Sequence, residues 1–455
     1  MRILIVGAGI VGNNLARELS HEGHDIAVVD NCLDRIRPIA DTLDVLTVQG
    51  NACLPSTLNR AGIADMDMVC AVTEKDEVNL YVCFLASKFN VKHRFARLRS
   101  MEFTGEDQVF APDELYVEQA VNPGEIIIEN ILKLLETPGA VNVAEFAHGQ
   151  ILLRQFEVPE DAPLAGKKIS QTSGVSDLDS ILIVAIVRDG VLFLPRPDDE
   201  IRPGDRIYTL VDKDFLPFLL PMLNKTIDQV DKIILYGANQ ISINLARKLE
   251  EITSDVSIIE PDRDKALEAA DVLSKTVVHH GSGTDMDLFN DINMGDADFF
   301  MSLSDDDENN ILAALLAKKN GAKRALVITN DPEYLPILDS IGMDITINPR
   351  LITVSAILKH LRRSRVVSVF KLMEDAEVIE VVVDEDSNIS GKLISGVKFP
   401  PDARIGALLR DGEMLLPGED ICIEPGDSVI VVSLSQAVEK IDKLFGKKSR
   451  FFSFG

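Results

Sequence analysis

Apolar runs and glycine punctuation alternate along this chain in a strand, turn, helix, strand rhythm. Arg2-Ile3-Leu4-Ile5-Val6 carries four consecutive aliphatic residues, the pattern of a strand buried on both faces, and glycines follow at Gly7, Gly9 and Gly12. Behind them Asn14 to Leu19 has the mixed polarity of an amphipathic helix. After Gly23 a second strand, Asp25 to Asp30, ends in an acid 18 residues beyond Gly12. Met68 to Thr73 reads as another buried strand, followed by a helix running through Tyr81 to Lys88. Strands alternating with helices in this way predict a parallel sheet with helices on both faces. Farther on the texture becomes β-rich: Ile181 to Val187, a hairpin turn at Asp189-Gly190, then Val191 to Leu194.

The same succession then recurs. Gly237 ends an apolar strand 230 residues after Gly7, and Glu260 closes the next strand 230 residues after Asp30. Gly281-Ser282-Gly283-Thr284 answers Gly50-Asn51-Ala52-Cys53 at an offset of 231, and Asn348-Pro349 answers Asn122-Pro123 at 226. Arg410-Asp411-Gly412 and Pro425-Gly426-Asp427 answer Arg188-Asp189-Gly190 and Pro203-Gly204-Asp205, both at 222. The chain is therefore a unit of roughly 225 residues duplicated in tandem. The expected fold class is α/β: tandem Rossmann-like, doubly wound parallel sheets, each followed by a small α+β lobe. Expected boundaries are 1–122 and 231–348 for the sheet lobes, and 140–225 and 366–448 for the β-rich lobes, with Asn224 to Val230 as the linker between units. Segments 123–139 and 349–365 connect the two kinds of lobe. Their apolar stretches, Glu125 to Leu135 and Leu351 to Leu361, are apolar on more than one face and must be covered, by their own domain or at a dimer interface.

Composition narrows the partners. Among 455 residues, 46 are basic and 73 acidic, a formal net charge of −27. Such a field repels nucleic acid and anionic headgroups, so neither is an expected partner. The most apolar window, Phe215 to Leu223, is broken by two prolines and far short of the roughly 20 residues a spanning helix needs, so no direct membrane insertion is expected. The start of the chain reads as a folded strand and not as a signal peptide. Cys32, Cys53, Cys70, Cys83 and Cys422 are scattered without C-x-x-C spacing, which suits reduced thiols in a cytosolic protein.

The candidate chemistry sits at the strand-to-helix junctions. In Gly7-Ala8-Gly9-Ile10-Val11-Gly12 the first glycine permits the tight turn, the second lets a pyrophosphate approach the backbone, and the third lets the helix pack on the strand. Free amides at the helix start face the phosphate, and Asp30 stands where an acid accepts hydrogen bonds from an adenosine ribose. Thr73 ends a strand near the same carboxyl edge, and Arg97 and Arg99 leave a later one as phosphate partners. The second copy, Gly237-Ala238-Asn239-Gln240-Ile241-Ser242, keeps only its first glycine. The Asn239 side chain intrudes where a diphosphate would approach, and Arg97 has its counterpart near Val327-Ile328. With Glu260 retained, that copy is either a weaker or different nucleotide site or an empty remnant. His279-His280 alternate faces and do not make a metal site, and Asp305 to Glu308 suits the acidic first turn of a helix. No catalytic arrangement stands out.

Gly7 to Gly12, the Val28-Val29-Asp30 strand end, Gln49-Gly50-Asn51-Ala52, Ala71-Val72-Thr73 with Asp76 and Asn79, and Ala96-Arg97 together resemble an RCK (regulator of potassium conductance, or KTN) domain. The lobe with Gly166-Lys167 and Pro203-Gly204-Asp205 resembles the RCK C-terminal domain. The resemblance covers nearly the whole chain, and two complete copies without membrane helices are similar to peripheral regulators of bacterial potassium uptake. It implies binding of NAD(H) or ATP/ADP, with Asn51, Ala52, Val72 and Thr73 joining the site. It further implies a homo-oligomer, dimer or tetramer ring, acting on a membrane-embedded potassium-translocating subunit from the cytoplasmic side of the membrane. The rival reading is an NAD-dependent dehydrogenase; the duplication of both lobes favours the non-enzymatic regulator.

Overall fold

The computed structural model describes all residues except 22, 105–109, 112–113, 138, 173–180, 227–229, 362–365, 374–375 and 447–455. The linker expected at 224–230, the end of segment 349–365 and the end of the last lobe at 448 fall partly outside the described residues. The chain separates into two compact units, Met1–Ile127 with Pro349–Leu361, and Ile128–Asn348 with Arg362–Gly455.

The first sheet lobe comprises β1 (Arg2–Val6), α1 (Ile10–His21), β2 (Asp25–Asp30), α2 (Leu33–Thr42), β3 (Leu46–Gln49), α3 (Pro55–Arg60), β4 (Met68–Ala71), α4 (Asp76–Lys88), β5 (His93–Arg97) and β6 (Gln119–Val121). Helix α5 (Pro123–Glu136) leaves it. The strands are parallel in the order β3-β2-β1-β4-β5-β6. The chain reverses direction across the sheet between β1 and β4, so both turns open on one crevice at the carboxyl edge. Ile3 and Ile5 point into one apolar layer and Leu4 and Val6 into the other, as period-two alternation demands of a strand covered on both sides.

The first β-rich lobe holds β7 (Ala140–Phe146), β8 (Ile151–Glu157), β9 (Ile181–Arg188), β10 (Val191–Phe193), β11 (Arg206–Asp212) and α6 (Leu216–Met222), its antiparallel sheet ordered β10-β9-β11-β8-β7. The second sheet lobe repeats the first with β12 (Lys232–Tyr236), α7 (Gln240–Ile252), β13 (Asp255–Glu260), α8 (Arg263–Val272), β14 (Val277–His280), α9 (Met286–Asp291), β15 (Phe299–Ser302), α10 (Asp307–Lys319), β16 (Arg324–Ile328), α11 (Leu335–Ser340) and β17 (Ile345–Ile347). Helix α12 (Pro349–Leu361) follows. The last lobe contains β18 (Val366–Met373), β19 (Ala376–Val382), β20 (Ala403–Arg410), β21 (Glu413–Leu415), β22 (Ser428–Leu434) and α13 (Val438–Phe445).

The hairpin turns expected from Asp-Gly pairs are present, with φ of 51° and 77° at Asp189 and Gly190 and of 51° and 85° at Asp411 and Gly412. Two positive angles in succession make the tight turn that matches strand twist. The repeated arginines beside these turns have a structural explanation. Arg188 grips Asp205 through Nε and Nη2 at 2.7 Å each, and Arg410 grips Asp427 in the same way at 2.8 Å. Each acid also accepts a backbone amide, from Arg202 and Glu424 respectively. These paired forks fasten the hairpin to the loop before the last strand, with 1% exposure at either aspartate.

Coverage of α12 differs from contact with its own domain. On α12, Val354, Ile357 and Leu358 fall at helical spacing and enter the core of the first sheet lobe beside Val11, Leu15 and Ile5. A helix belonging to the second repeat thus completes the apolar layer of the first. Sequence periodicity shows that such a face is apolar but not what it will meet. In the second unit the two β-rich sheets share one core, in which Phe146, Leu153, Val184 and Leu210 pack with Val378, Ala407, Ile430 and Val432.

At Gly406 those two sheets approach closely: a Cβ there would lie 2.5 Å from Leu210 Cδ1 and 3.3 Å from Val184 Cγ1. Replacing Gly406 with valine overpacks this layer and is expected to lower stability by about 1–3 kcal/mol. Urea denaturation measures this; an unchanged midpoint would show that the two sheets part without loss.

Candidate functional site

The carboxyl edge of the first sheet is built around the turn between β1 and α1. Gly7 has φ of +109°, and its amide donates to Val29 O at 2.8 Å, tying the turn to β2. A Cβ on Gly12 would stand 1.7 Å from the Gly7 carbonyl oxygen, so only glycine allows the helix this close. Gly9 differs: a Cβ there would meet nothing within 4 Å. The protein itself makes no demand for a missing side chain at Gly9. The first turn of α1, with Ile10 exposed and Val11 buried, contains no acidic residue to compensate its positive end.

Asp30 is 8% exposed and already engaged. Its Oδ2 accepts the Ala8 amide at 2.7 Å and its Oδ1 the Cys32 amide at 2.8 Å. It therefore welds the glycine turn to the turn after β2, and a carboxylate's remaining lone pairs stay available for hydroxyl donors. Glu260 does the same in the second repeat, accepting from Ala238 N at 2.5 Å and Asp262 N at 2.8 Å. An acid at this position is a structural weld in both copies, which is why its persistence in the second carries no information about a ligand.

A buried asparagine fixes the next loop. Asn79 Oδ1 accepts from the Thr73 amide at 2.9 Å and hydroxyl at 2.7 Å, while Nδ2 donates to Thr73 O and Arg97 O. Thr73, Val72 and the end of β5 are thereby locked together. Asp76 Oδ2 accepts the amides of Arg99 and Ser100, both at 2.8 Å. Asn51 Oδ1 caps its own turn by accepting Cys53 N at 2.9 Å, and neighbouring Ala52 is buried.

Arg97 is the anomaly. Its residue is 9% exposed and its buried Nε has no hydrogen-bond partner among the described residues. Burial, then the nearby charges of Arg99 and, after Asp76, Arg350, pull its pKa down to about 10, with Asp76 and Glu74 opposing. A buried cation without a partner is expensive. Arg99 is exposed on the same edge. Arg350, on the first turn of α12, was not singled out from the sequence; the signal lay one residue beyond the repeated Asn-Pro pair, where the first copy has Gly124.

The second edge is organised otherwise. Gly237 keeps its positive φ of +93°. Asn239 Oδ1 accepts the Ser242 amide at 3.1 Å and its Nδ2 donates to Leu303 O at 2.7 Å, so the side chain caps α7 and crosses the space above the turn. Gln240 is exposed and Ile241 half-buried on that first turn. Asn310 repeats the latch of Asn79, bonding Ser304 and Ile328 O. The residue at the end of β16, in the place of Arg97, is the buried Ile328.

Known proteins match this architecture throughout. The TrkA-N domain matches residues 3–121 and 233–349, and the TrkA-C domain matches residues 153–214 and 378–446. The Trk system potassium uptake protein TrkA of Halomonas elongata is 32% identical over 458 residues, covering 99% of this chain and 100% of its own. Its namesake from Vibrio alginolyticus is 33% identical over 459 residues, with 99% and 100% covered. Among solved structures, the GsuK RCK domain is similar with a TM-score of 0.61 at 18% identity, over 98% of this chain and 94% of that one. The GsuK channel bound to NAD gives 0.59 at 18% identity, over 98% and 78%. With both domain types matched in tandem and relatives aligned from end to end, the chain belongs to the TrkA family.

Proposed function

We propose that the carboxyl edge of the first sheet lobe binds an adenine nucleotide, NAD(H) or ATP/ADP, as an effector. The observation that carries this reading is Arg97, buried with its Nε unpartnered among the described residues, on the same edge as a turn whose Gly9 leaves open space. In it Gly7, Ala8, Gly9, Ile10, Val11 and Gly12 cradle a pyrophosphate on backbone amides. Asp30 accepts from the ribose and repels a 2′-phosphate, which disfavours NADP. Asn51, Ala52, Val72 and Thr73 shape the walls, and Arg97 and Arg99 meet the far phosphate. Gly237, Ala238, Asn239, Gln240, Ile241 and Glu260 form a copy that no longer takes a diphosphate, because Asn239 and Ile328 occupy the places of Gly9 and Arg97.

In this reading the chain is the nucleotide-responsive regulatory subunit of a potassium uptake system. It works as a homo-oligomer, dimer or tetramer ring, docked from the cytoplasm on a membrane-embedded potassium-translocating subunit. Family membership and the names of the relatives support the assignment. A similar fold in a channel described as bound to NAD supports the ligand class. Among the described residues no helix is long and apolar enough to cross a membrane, so translocation falls to a partner. A ligand shifts the regulator between states only by its differential affinity for them.

Titration of the purified chain with NADH, NAD, ADP and ATP tests the site. Gly9→Val is expected to weaken binding roughly a hundredfold, two decades at about 1.4 kcal/mol each, with an unchanged melting temperature of the ligand-free protein. Asn239→Val should leave affinity within about twofold. Equal losses from both substitutions would refute the asymmetry. Absorbance of bound NADH should stay steady with candidate substrates present, and brisk turnover would favour the dehydrogenase.

The buried charge adds a second prediction. Arg97→Met removes an unpartnered cation, so the ligand-free protein should gain stability, by about 1–3 kcal/mol, while nucleotide affinity falls. Differential scanning calorimetry with and without nucleotide separates these effects; a destabilised ligand-free variant would show that Arg97 is a structural group.

A further inference from the structure

We propose that the Arg35–Glu74 ion pair is a clasp across the first lobe's site, in which the Glu74 carboxylate stands in for the phosphate that Arg35 meets when a nucleotide binds. The inference rests on the nucleotide reading above and adds to it an internal competitor that sets how readily the site fills.

Strand order places the clasp. Arg35 sits in the first turn of α2, three residues beyond Cys32, whose amide Asp30 accepts, and so stands at the carboxyl end of β2. Glu74 lies in the loop between β4 and α4, directly after Thr73. β2 and β4 are the two neighbours of β1. The helices nearest the two residues cover opposite faces of the sheet: Ile36 and Ile39 of α2 enter one apolar layer, Val82 and Cys83 of α4 the other. The contact of 3.7 Å between Arg35 Nη2 and Glu74 Oε1 therefore crosses the carboxyl edge from face to face, past the end of β1. That end is the glycine turn, against which the Thr73 loop lies: a Cβ on Gly7 would come within 3.1 Å of Thr73 N. The pair thus spans the groove that a pyrophosphate on the helix amides must enter.

Folding makes little demand for it. Both side chains are well exposed, at 50% for Arg35 and 66% for Glu74, and an exposed ion pair adds little to stability. Its charge matters more to an anion. Glu74 also reaches Arg97, where it opposes the fall in proton affinity caused by burial and by Arg99. One carboxylate is thus shared by guanidiniums on either side of the glycine turn, Arg35 after β2 and Arg97 at the end of β5. An entering phosphate has the same sign as Glu74 and offers those guanidiniums a partner of matching geometry. It displaces the carboxylate, which turns to solvent.

The second repeat differs here as it does at the glycines. Lys265 and Asp305 stand 230 and 231 positions after Arg35 and Glu74. No ion pair joins them among the described residues, and the space above that turn is crossed by Asn239 instead. The clasp belongs to the edge that has a groove to close.

The test titrates the full chain with ADP and with adenosine by calorimetry, for wild type, Glu74→Gln, Arg35→Gln and Gly9→Val. Thermal melts of each ligand-free variant check folding. Glu74→Gln should tighten ADP about fivefold and Arg35→Gln should weaken it about as much, each the scale of one exposed charge contact. Opposite signs are the signature, because a merely structural pair would shift ADP affinity in one direction whichever partner is lost. Adenosine, which has no phosphate, should bind wild type, Glu74→Gln and Arg35→Gln alike. With Gly9→Val impaired for ADP, any other pattern of signs, or adenosine following ADP across the three, overturns the clasp and leaves the nucleotide site standing. ADP bound by Gly9→Val as tightly as by wild type, or not bound by wild type, overturns both.

Discussion

Helix α1 lies so close to the turn ending β1 that a methyl group at Gly12 would overlap the Gly7 carbonyl oxygen. That approach governs what the edge can do. It brings the first amides of the helix over the crevice between β1 and β4, where the direction of winding reverses and ligands have room. It also brings Ala8 against Asp30, whose carboxylate holds two turns at once. The second repeat keeps the parts of this device that folding needs: the positive φ of Gly237, the acid weld of Glu260 and the asparagine latch of Asn310. In the places of Gly9, Gly12 and Arg97 it carries Asn239, Ser242 and Ile328.

The exchange of α12 gives the duplication a mechanical meaning. The apolar layer over β1 is closed by Val354, Ile357 and Leu358, residues some 350 positions away in the chain. The apolar core of the first lobe is therefore incomplete without a helix from the second repeat.

Much of this was legible in the sequence. Four aliphatic residues before Gly7, the spacing of three glycines and the acid at Asp30 identify the first edge, and offsets near 230 and 222 identify the duplication. Asp189-Gly190 and Asp411-Gly412 were legible as turns because two left-handed residues in succession have few sequence solutions. What was not legible depends on distance in space. Periodicity shows that Leu351 to Leu361 has an apolar face but not that the face belongs to the other repeat's core. Glu260 reads as a retained ligand group, and only the structure shows that it also holds two backbone amides, as Asp30 does. Arg350 follows a repeated Asn-Pro pair, yet only the packing of α12 brings it to Arg97.

The central claim is that two similar lobes hold one competent nucleotide site between them, and stoichiometry tests it most directly. Equilibrium dialysis of the purified chain against labelled ADP or NADH counts saturable sites per polypeptide. The account predicts one nucleotide per chain, lost when Gly9 is replaced by valine. Two sites of equal affinity per chain would contradict it.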